Sequence, residues 1–398
     1  VASNPQPWGF LARLQPALMQ RPGDLSLGLH RAVGELRRAA RVDPLRAGEG
    51  AVLLCERLPA ALEHIDDPVG TATGAVARAI DALAPVLAAA PCPAATRELW
   101  LARLWAALAG DAAGHLRRLA EHWGSLCASP TSAAAWAERL LPAAHEAVAT
   151  ASSVACLASQ VAAGQHEAAL ALLAARPIAV WPERQFGVLA LAARGEVDAA
   201  LAYAAASNPL GHRHAQDIAR VCEGVLLAAG RRDEAYRRFA APAHARQNCR
   251  QTFAALLQVY PELEPGQLLA DLLLASPGQE GRWFATAVSL RFYALAAEIA
   301  GRAPCDPRTL VRAGAQRLEA DPEFAGEVAI AAIASICGGH GVEITGEDVF
   351  AAYDLAHSAA LRTGSPARLK AQVAALCDQP HAAAQWVHGL LASELLGA

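Results

Sequence analysis

Three segments between Ala162 and Ala241 are built to one pattern, and that pattern restricts what the chain can become. AAGQHEAALALLA, AARGEVDAALAYA and AAGRRDEAYRRFA each hold a glycine (Gly164, Gly195, Gly230), an acid three residues on (Glu167, Asp198, Asp233) and an alanine five residues on (Ala169, Ala200, Ala235). A glycine past a helix end takes the left-handed conformation that stops it. An acid in the next first turn meets the positive end of the helix dipole. A small alanine lets the two helices approach closely. The glycines are 31 and 35 residues apart, which brackets the period of a helix-turn-helix repeat.

The pattern resembles the tetratricopeptide repeat, with the early Trp and Tyr positions of that family not regularly filled. The rest of the chain agrees in class. More than half of the residues are apolar yet only 5% are aromatic, and alanine, the residue that costs least in a helix, dominates. Alternating runs of β-branched and aromatic residues, which strands need, are hard to find. The sequence therefore predicts an all-α chain, an α-solenoid of antiparallel helical hairpins, with around twenty helices of ordinary length.

Helix starts recur as an acid or serine before proline: Asp306-Pro307, Asp321-Pro322 and Ser365-Pro366, with Thr345 and Asp348 forming a capping box. SPGQEGRWF reads the same way, with Ser276 as cap and Gln279 at the capping-box position. In the first third, helices are expected at about 25–41, 51–65, 71–90, 95–108 and 112–126. CASPTS, Cys127 to Ser132, breaks the pattern and suggests a boundary. The expected organisation is an N-terminal helical region (1–130), the repeats (131–260) and further hairpins continuing the array (261–398).

Three stretches together, LCERLPAALEHIDDPVG, the hairpins from Gly164 to Ala235, and Ser276 to Ala356, resemble a group of uncharacterised bacterial helical-repeat proteins, some associated with a SWIM zinc finger. The resemblance implies a tetratricopeptide-like array without assigned catalysis. The Cys-x-Cys and Cys-x-His pairs of that finger are absent here, so no zinc-mediated nucleic-acid contact carries over.

Charge and cysteine usage narrow the classes. A formal charge of −4 makes no strong overall field for nucleic acid or an acidic membrane. Nine scattered cysteines without a C-x-x-C argue against a disulfide framework or a cysteine zinc site and fit reduced thiols in the cytoplasm. The weakly polar run Ala147 to Gly164 is too polar for the roughly 20 strongly apolar residues a bilayer needs, so no membrane span is expected. No cofactor motif stands out.

Two constellations are the candidate sites. In EHIDDPVG, His64, Asp66 and Asp67 could serve a divalent metal, although acids before proline and glycine are also ordinary helix-end chemistry, with Asp66 or Asp67 capping and Gly70 at positive φ. Arg231, Arg232, Arg237 and Arg238, extended by His244, Arg246 and Arg250, could follow a phosphate backbone. Asp233 and Glu234, each four residues before an arginine, fit an ion-paired solvated helix equally well. The aromatics Trp283, Phe284, Phe292 and Tyr293 are spaced for packing between helices. No His-Glu-x-x-His or Gly-x-Ser-x-Gly is present. The functional expectation is a non-catalytic scaffold for a protein partner. The alternatives are a nucleic-acid-associated solenoid using the arginines and a metal-dependent enzyme centred on His64, Asp66 and Asp67.

Overall fold

A computed structural model describes residues 8–13, 22–63, 65, 67, 70–145, 150–176, 178–207 and 214–396. They are all-α, with no strand among the described residues. Two compact units divide the chain, Val1–Ala235 and Tyr236–Ala398. The division expected near Cys127 to Ser132 thus falls inside the first unit.

The first unit runs α1 (Gly9–Arg13), α2 (Pro22–Ala40), α3 (Pro44–Leu62), α4 (Thr71–Ala89), α5 (Ala94–Gly110), α6 (Arg118–Leu126), α7 (Pro130–Ala144), α8 (Ala151–Ala162), α9 (His166–Ala175), α10 (Trp181–Ala193), α11 (Val197–Ala206), α12 (Ala215–Ala228) and α13 (Arg232–Ala235). Each even-numbered helix from α2 to α10 packs on the next even-numbered one, and α8 to α13 also pack in sequence-adjacent pairs.

The join between α6 and α8 explains why no boundary lies near residue 130. A Cβ added at Gly124 would lie 2.2 Å from the Ala158 carbonyl oxygen, so the two backbones touch where only glycine fits. Trp105, Trp123 and Trp136 fill the space beside that crossing, with ring centroids 5.0 to 6.0 Å apart. Edge-to-face pairs of this kind add about 0.5–1.5 kcal/mol each beyond their burial.

The glycine, acid and alanine pattern folds as its chemistry dictates. Gly164, Gly195 and Gly230 have φ of 78°, 84° and 74°. The amide after each donates back to the carbonyl five residues earlier (Gln165 to Gln160, Glu196 to Leu191, Arg231 to Leu226), at 2.8 to 3.0 Å. That bond closes a Schellman turn. Ala169, Ala200 and Ala235 are fully buried.

α4 is the one described helix long and apolar enough to cross a membrane by length and composition. Its Val76, Ile80, Leu83 and Leu87 are buried, and it packs on α2, α3 and α6. Its C-terminal carbonyls are satisfied by one buried side chain from α5: Arg97 donates to Leu87 O, to Ala90 O at 2.6 Å and to Ala88 O at 3.4 Å.

The second unit begins with a π-helical turn, Tyr236–Ala240, and continues α14 (Ala241–Ala243), α15 (Cys249–Val259), α16 (Pro265–Leu274), a 3-10 turn (Glu280–Trp283), α17 (Phe284–Ser289), α18 (Tyr293–Arg302), α19 (Pro307–Arg317), α20 (Pro322–Cys337), α21 (Gly346–Arg362), α22 (Pro366–Cys377) and α23 (Ala382–Leu396). α20, apolar along most of its length, is its hub, touching α18, α19, α21, α22 and α23. Asp306 and Asp321 cap α19 and α20, accepting from Thr309 N at 2.9 Å and Phe324 N at 3.1 Å, and Thr345 with Asp348 forms the capping box of α21.

Four expectations are corrected. α3 starts at Pro44, seven residues before the expected Ala51, because Asp43 accepts from Arg46 N at 2.9 Å. α6 starts at Arg118, since the Asp111 carboxylate holds the Gly114 and Leu116 amides in a turn that Gly114, at φ 74°, completes. Ser276 caps no helix; its hydroxyl accepts from Trp283 Nε1 at 3.1 Å. Ser365 heads α22 without a side-chain cap bond.

The same turn closes at Gly339, at Gly364 and, without a glycine, at Arg291. Arg291 has φ 64°, the Phe292 amide donates to Ala287 O at 3.0 Å, and Ala296, five residues on, is fully buried. Arginine occupies the place that glycine holds elsewhere.

Candidate functional site

In the first unit a cleft of about 830 Å³ opens beside α6. Its walls are largely apolar: Leu108 at the end of α5, Ala120 on α6, Ala151 and Val154 on α8, and Val180 and Pro182 at the start of α10. Ile178, 71% exposed, and Val180, 41% exposed, are apolar side chains held at its rim in water. Three charged residues, Asp111, Arg117 and Glu121, complete the lining with Thr150.

The charges are not equivalent. Asp111 spends both oxygens on backbone amides, Gly114 N at 3.1 Å and Leu116 N at 2.6 Å. Glu121 accepts from Arg118 Nη1 at 2.6 Å and from Gln185 Nε2 at 2.7 Å. Arg118 in turn donates to Asp81 Oδ1 at 2.6 Å, where His122 Nε2 also lies at 2.8 Å. Burial works against the charge on Asp81, but the bonds from His122 and Arg118 outweigh it and hold that carboxyl below its ordinary range. Arg117 is exposed and has no carboxylate partner among the described residues. The uncommitted charge of the cleft is positive.

A buried polar cluster fixes the wall formed by α8 and α10. Glu183, with no exposed surface, accepts from Ser153 Oγ at 2.6 Å and from Val180 N at 3.3 Å, while Ser153 and Thr150 close the capping box of α8. Arg176 lies 2.9 Å from Glu183 through Nη2, a charge contact without good hydrogen-bond direction, and donates from Nη1 to Ala144 O at 2.5 Å. Charges this deep are tolerated only when paired. Thr150 and Val180, both cleft residues, are thereby set in place by one carboxylate.

Of the first sequence-nominated set, His64 and Asp66 lie outside the described residues. Asp67 is a helix cap: it accepts from Ala72 N and Thr73 N, both at 2.9 Å, and from Thr73 Oγ1 at 3.0 Å, while Gly70 has φ 73°. The Thr73 amide does most to hold the Asp67 carboxyl below its usual range. Since the Thr73 hydroxyl gives its proton to Asp67, buried His115, 2.9 Å away through Nδ1, is the donor to that hydroxyl and carries its proton on Nδ1. Among the described residues no group of three or more His, Cys, Asp or Glu side chains could hold a metal ion.

The arginines divide between the units, Arg231 and Arg232 in the first and Arg237, Arg238, Arg246 and Arg250 in the second. Arg231 pairs with Asp198 at 2.7 Å and with Glu234 at 2.6 Å. Arg232, Arg237 and Arg238 also have partners, Arg238 including the Phe239 ring at 5.0 Å. Arg246 and Arg250 are exposed. The π-turn from Tyr236 replaces the α-helical spacing on which a single arginine face was expected. It is anchored by Tyr236 Oη, which donates to Asp271 at 2.6 Å and whose own ionisation is pushed up by burial and by that carboxylate. Trp283 and Phe284 are buried, and Tyr293 packs edge-on to Phe324 at 5.4 Å, as their spacing suggested.

Asp111, Arg117, Glu121 and Glu183 were not legible as a site, because 70 residues of chain must pack before they share a cleft; only the Asp-x-x-Gly turn and the Trp-Pro-Glu start of α10 hint at their local roles. No family model, curated protein or solved structure matches this chain.

Proposed function

We propose that the chain is a non-catalytic scaffold of tetratricopeptide-like hairpins that binds a protein partner, and that the cleft beside α6 receives an apolar segment of that partner flanked by a carboxylate. The observation that carries the reading is the cleft itself: apolar walls, two exposed aliphatic side chains at its rim, acids already committed and one arginine free. Apolar surface left in water at a preformed cleft is the usual mark of an interaction site. The stacked helices and the four Schellman turns with a buried alanine support the α-solenoid part of the proposal. Nine unpaired thiols, eight of them buried, support a reducing compartment such as the cytoplasm. The ion pairing of Arg231 and the partners of Arg232, Arg237 and Arg238 give the nucleic-acid alternative less to work with.

The test is affinity capture from lysate of the native host with three forms of the full chain: unmodified, Ile178→Glu, and Arg237→Ala/Arg238→Ala, each with and without nuclease. A near-stoichiometric protein that survives nuclease and is lost with Ile178→Glu is the expected result. Recovery that needs nucleic acid and disappears with the arginine variant would replace this reading, and a partner retained by Ile178→Glu would remove the cleft from it.

A further inference from the structure

A second groove, of about 280 Å³, runs between α2 and α4. His30 and Arg37 reach it from α2 and Arg78 from α4, Ser26 stands at one end, and Gly34 and Ala79 form part of a floor of small side chains. His30 and Arg37 are seven residues apart, two helical turns, so they share a face. The Arg78 guanidinium lies back over Gly74, 3.4 Å from where a Cβ would sit, which a larger residue there would crowd.

No acid lines this groove. Among the described residues none of His30, Arg37 or Arg78 has a carboxylate partner, although acids are near in sequence. Asp81, one turn beyond Arg78, is committed to Arg118 and His122, and Glu35 accepts from Gly9 N at 2.7 Å. Other arginines of this unit behave otherwise: Arg103 binds Glu49 and Glu56, Arg118 binds Asp81 and Glu121, and Arg231 binds Asp198 and Glu234. Here two arginines and a histidine line one small concave space that holds no carboxylate.

We propose that this groove binds a phosphate-type dianion. The planar guanidinium fork matches phosphate oxygens bidentately, two arginines from different helices suit two negative charges, and a hydroxyl at Ser26 supplies a further donor. The volume suits a phosphate or phosphomonoester group rather than a whole nucleotide. The same chemistry is offered by a soluble phosphomonoester and by the headgroup of an anionic lipid such as phosphatidate.

The experiment uses the full chain at low salt. Inorganic phosphate is titrated calorimetrically into the unmodified protein, Arg37→Ala, Arg78→Ala, the double variant and Arg302→Ala, an exposed arginine of the second unit that is paired with Glu298. One saturable site is expected, weakened about tenfold or more by each single change, lost in the double variant and unaltered in Arg302→Ala. Both arginines are exposed, so far-ultraviolet circular dichroism should show the variants folded. Co-sedimentation with phosphatidylcholine vesicles, with and without phosphatidate, separates the sources. Pelleting that requires phosphatidate and both arginines assigns the lipid headgroup, whereas phosphate binding without pelleting assigns the soluble ligand. Absence of saturable phosphate binding together with absence of pelleting overturns the proposal, as does a double variant that binds like the unmodified chain.

Discussion

Replacing Arg291 by glycine should stabilise the second unit. Arg291 closes a Schellman turn at φ 64°, with its amide 3.0 Å from Val288 O and the Phe292 amide 3.0 Å from Ala287 O. An L-residue in that conformation costs about 1–2 kcal/mol. Glycine removes this cost but gives back about 0.5–1 kcal/mol through the freer unfolded chain. The Arg291 side chain is exposed and makes no ion pair among the described residues, so no ion pair is lost. The net gain is about 0.5–1 kcal/mol, which for a unit of this size raises Tm by about 1–4 °C. Gly195→Ala is the mirror experiment. Nothing lies within 4 Å of the Cβ it would add, so the loss, about 0.5–1 kcal/mol, is purely one of backbone conformation. Calorimetry is the assay of choice, since two units need not melt together. A lower melting temperature for Arg291→Gly, or no change in either variant, would refute the claim that these turns are one device.

Other consequences can be checked alongside. Gly124→Ala drives a methyl into the Ala158 carbonyl and should cost at least about 1–3 kcal/mol in chemical denaturation, far more than the same change at open Gly224. Glu183→Ala leaves Arg176 buried without its partner and should cost about 3–5 kcal/mol, with Arg176→Met in the same chain recovering part of the loss. Asp348 is held well below the ordinary carboxylate range, first by Arg308 at 2.7 Å and then by the Thr345 amide. Because its folded pKa lies below its unfolded value of about 3.9, its contribution is present above about pH 4 and is lost as pH falls through the folded value. Asp348→Asn should therefore be less stable than the unmodified chain at pH 6 and approach it below pH 3 in urea titrations.

The parts of the fold that were legible are those where one residue type has one physical reason to be present. Gly164, Gly195 and Gly230 mark left-handed turns, and Asp306 and Asp321 before proline mark helix starts. Arg291 escaped notice because the turn tolerates a side chain that the pattern does not advertise. Ser276 misled because a serine before proline has two uses, capping a helix or accepting from a tryptophan, and the chain makes a 3-10 turn there. The clefts were illegible for a different reason. Each is lined by residues from helices that meet only through packing, and the residues that matter, Arg117 or Arg37 with Arg78, are ordinary surface arginines until the acids around them are seen to be committed elsewhere or absent. EHIDDPVG, conspicuous in sequence, supplies in Asp67 the cap of α4.

The guanidinium of Arg97 gives the short link after α4 an unusual standing. Surface connections generally accept extra or missing residues without penalty. This one is spanned by a side chain whose reach is fixed: Arg97 starts a few residues beyond the link, on α5, and must return to Leu87, Ala88 and Ala90. One residue added or removed around Cys92 would carry the guanidinium away from those carbonyls and leave the buried end of an apolar helix with unanswered acceptors. The length of that link is set by the reach of a side chain, so along a lineage of such chains it should drift in composition well before it drifts in length.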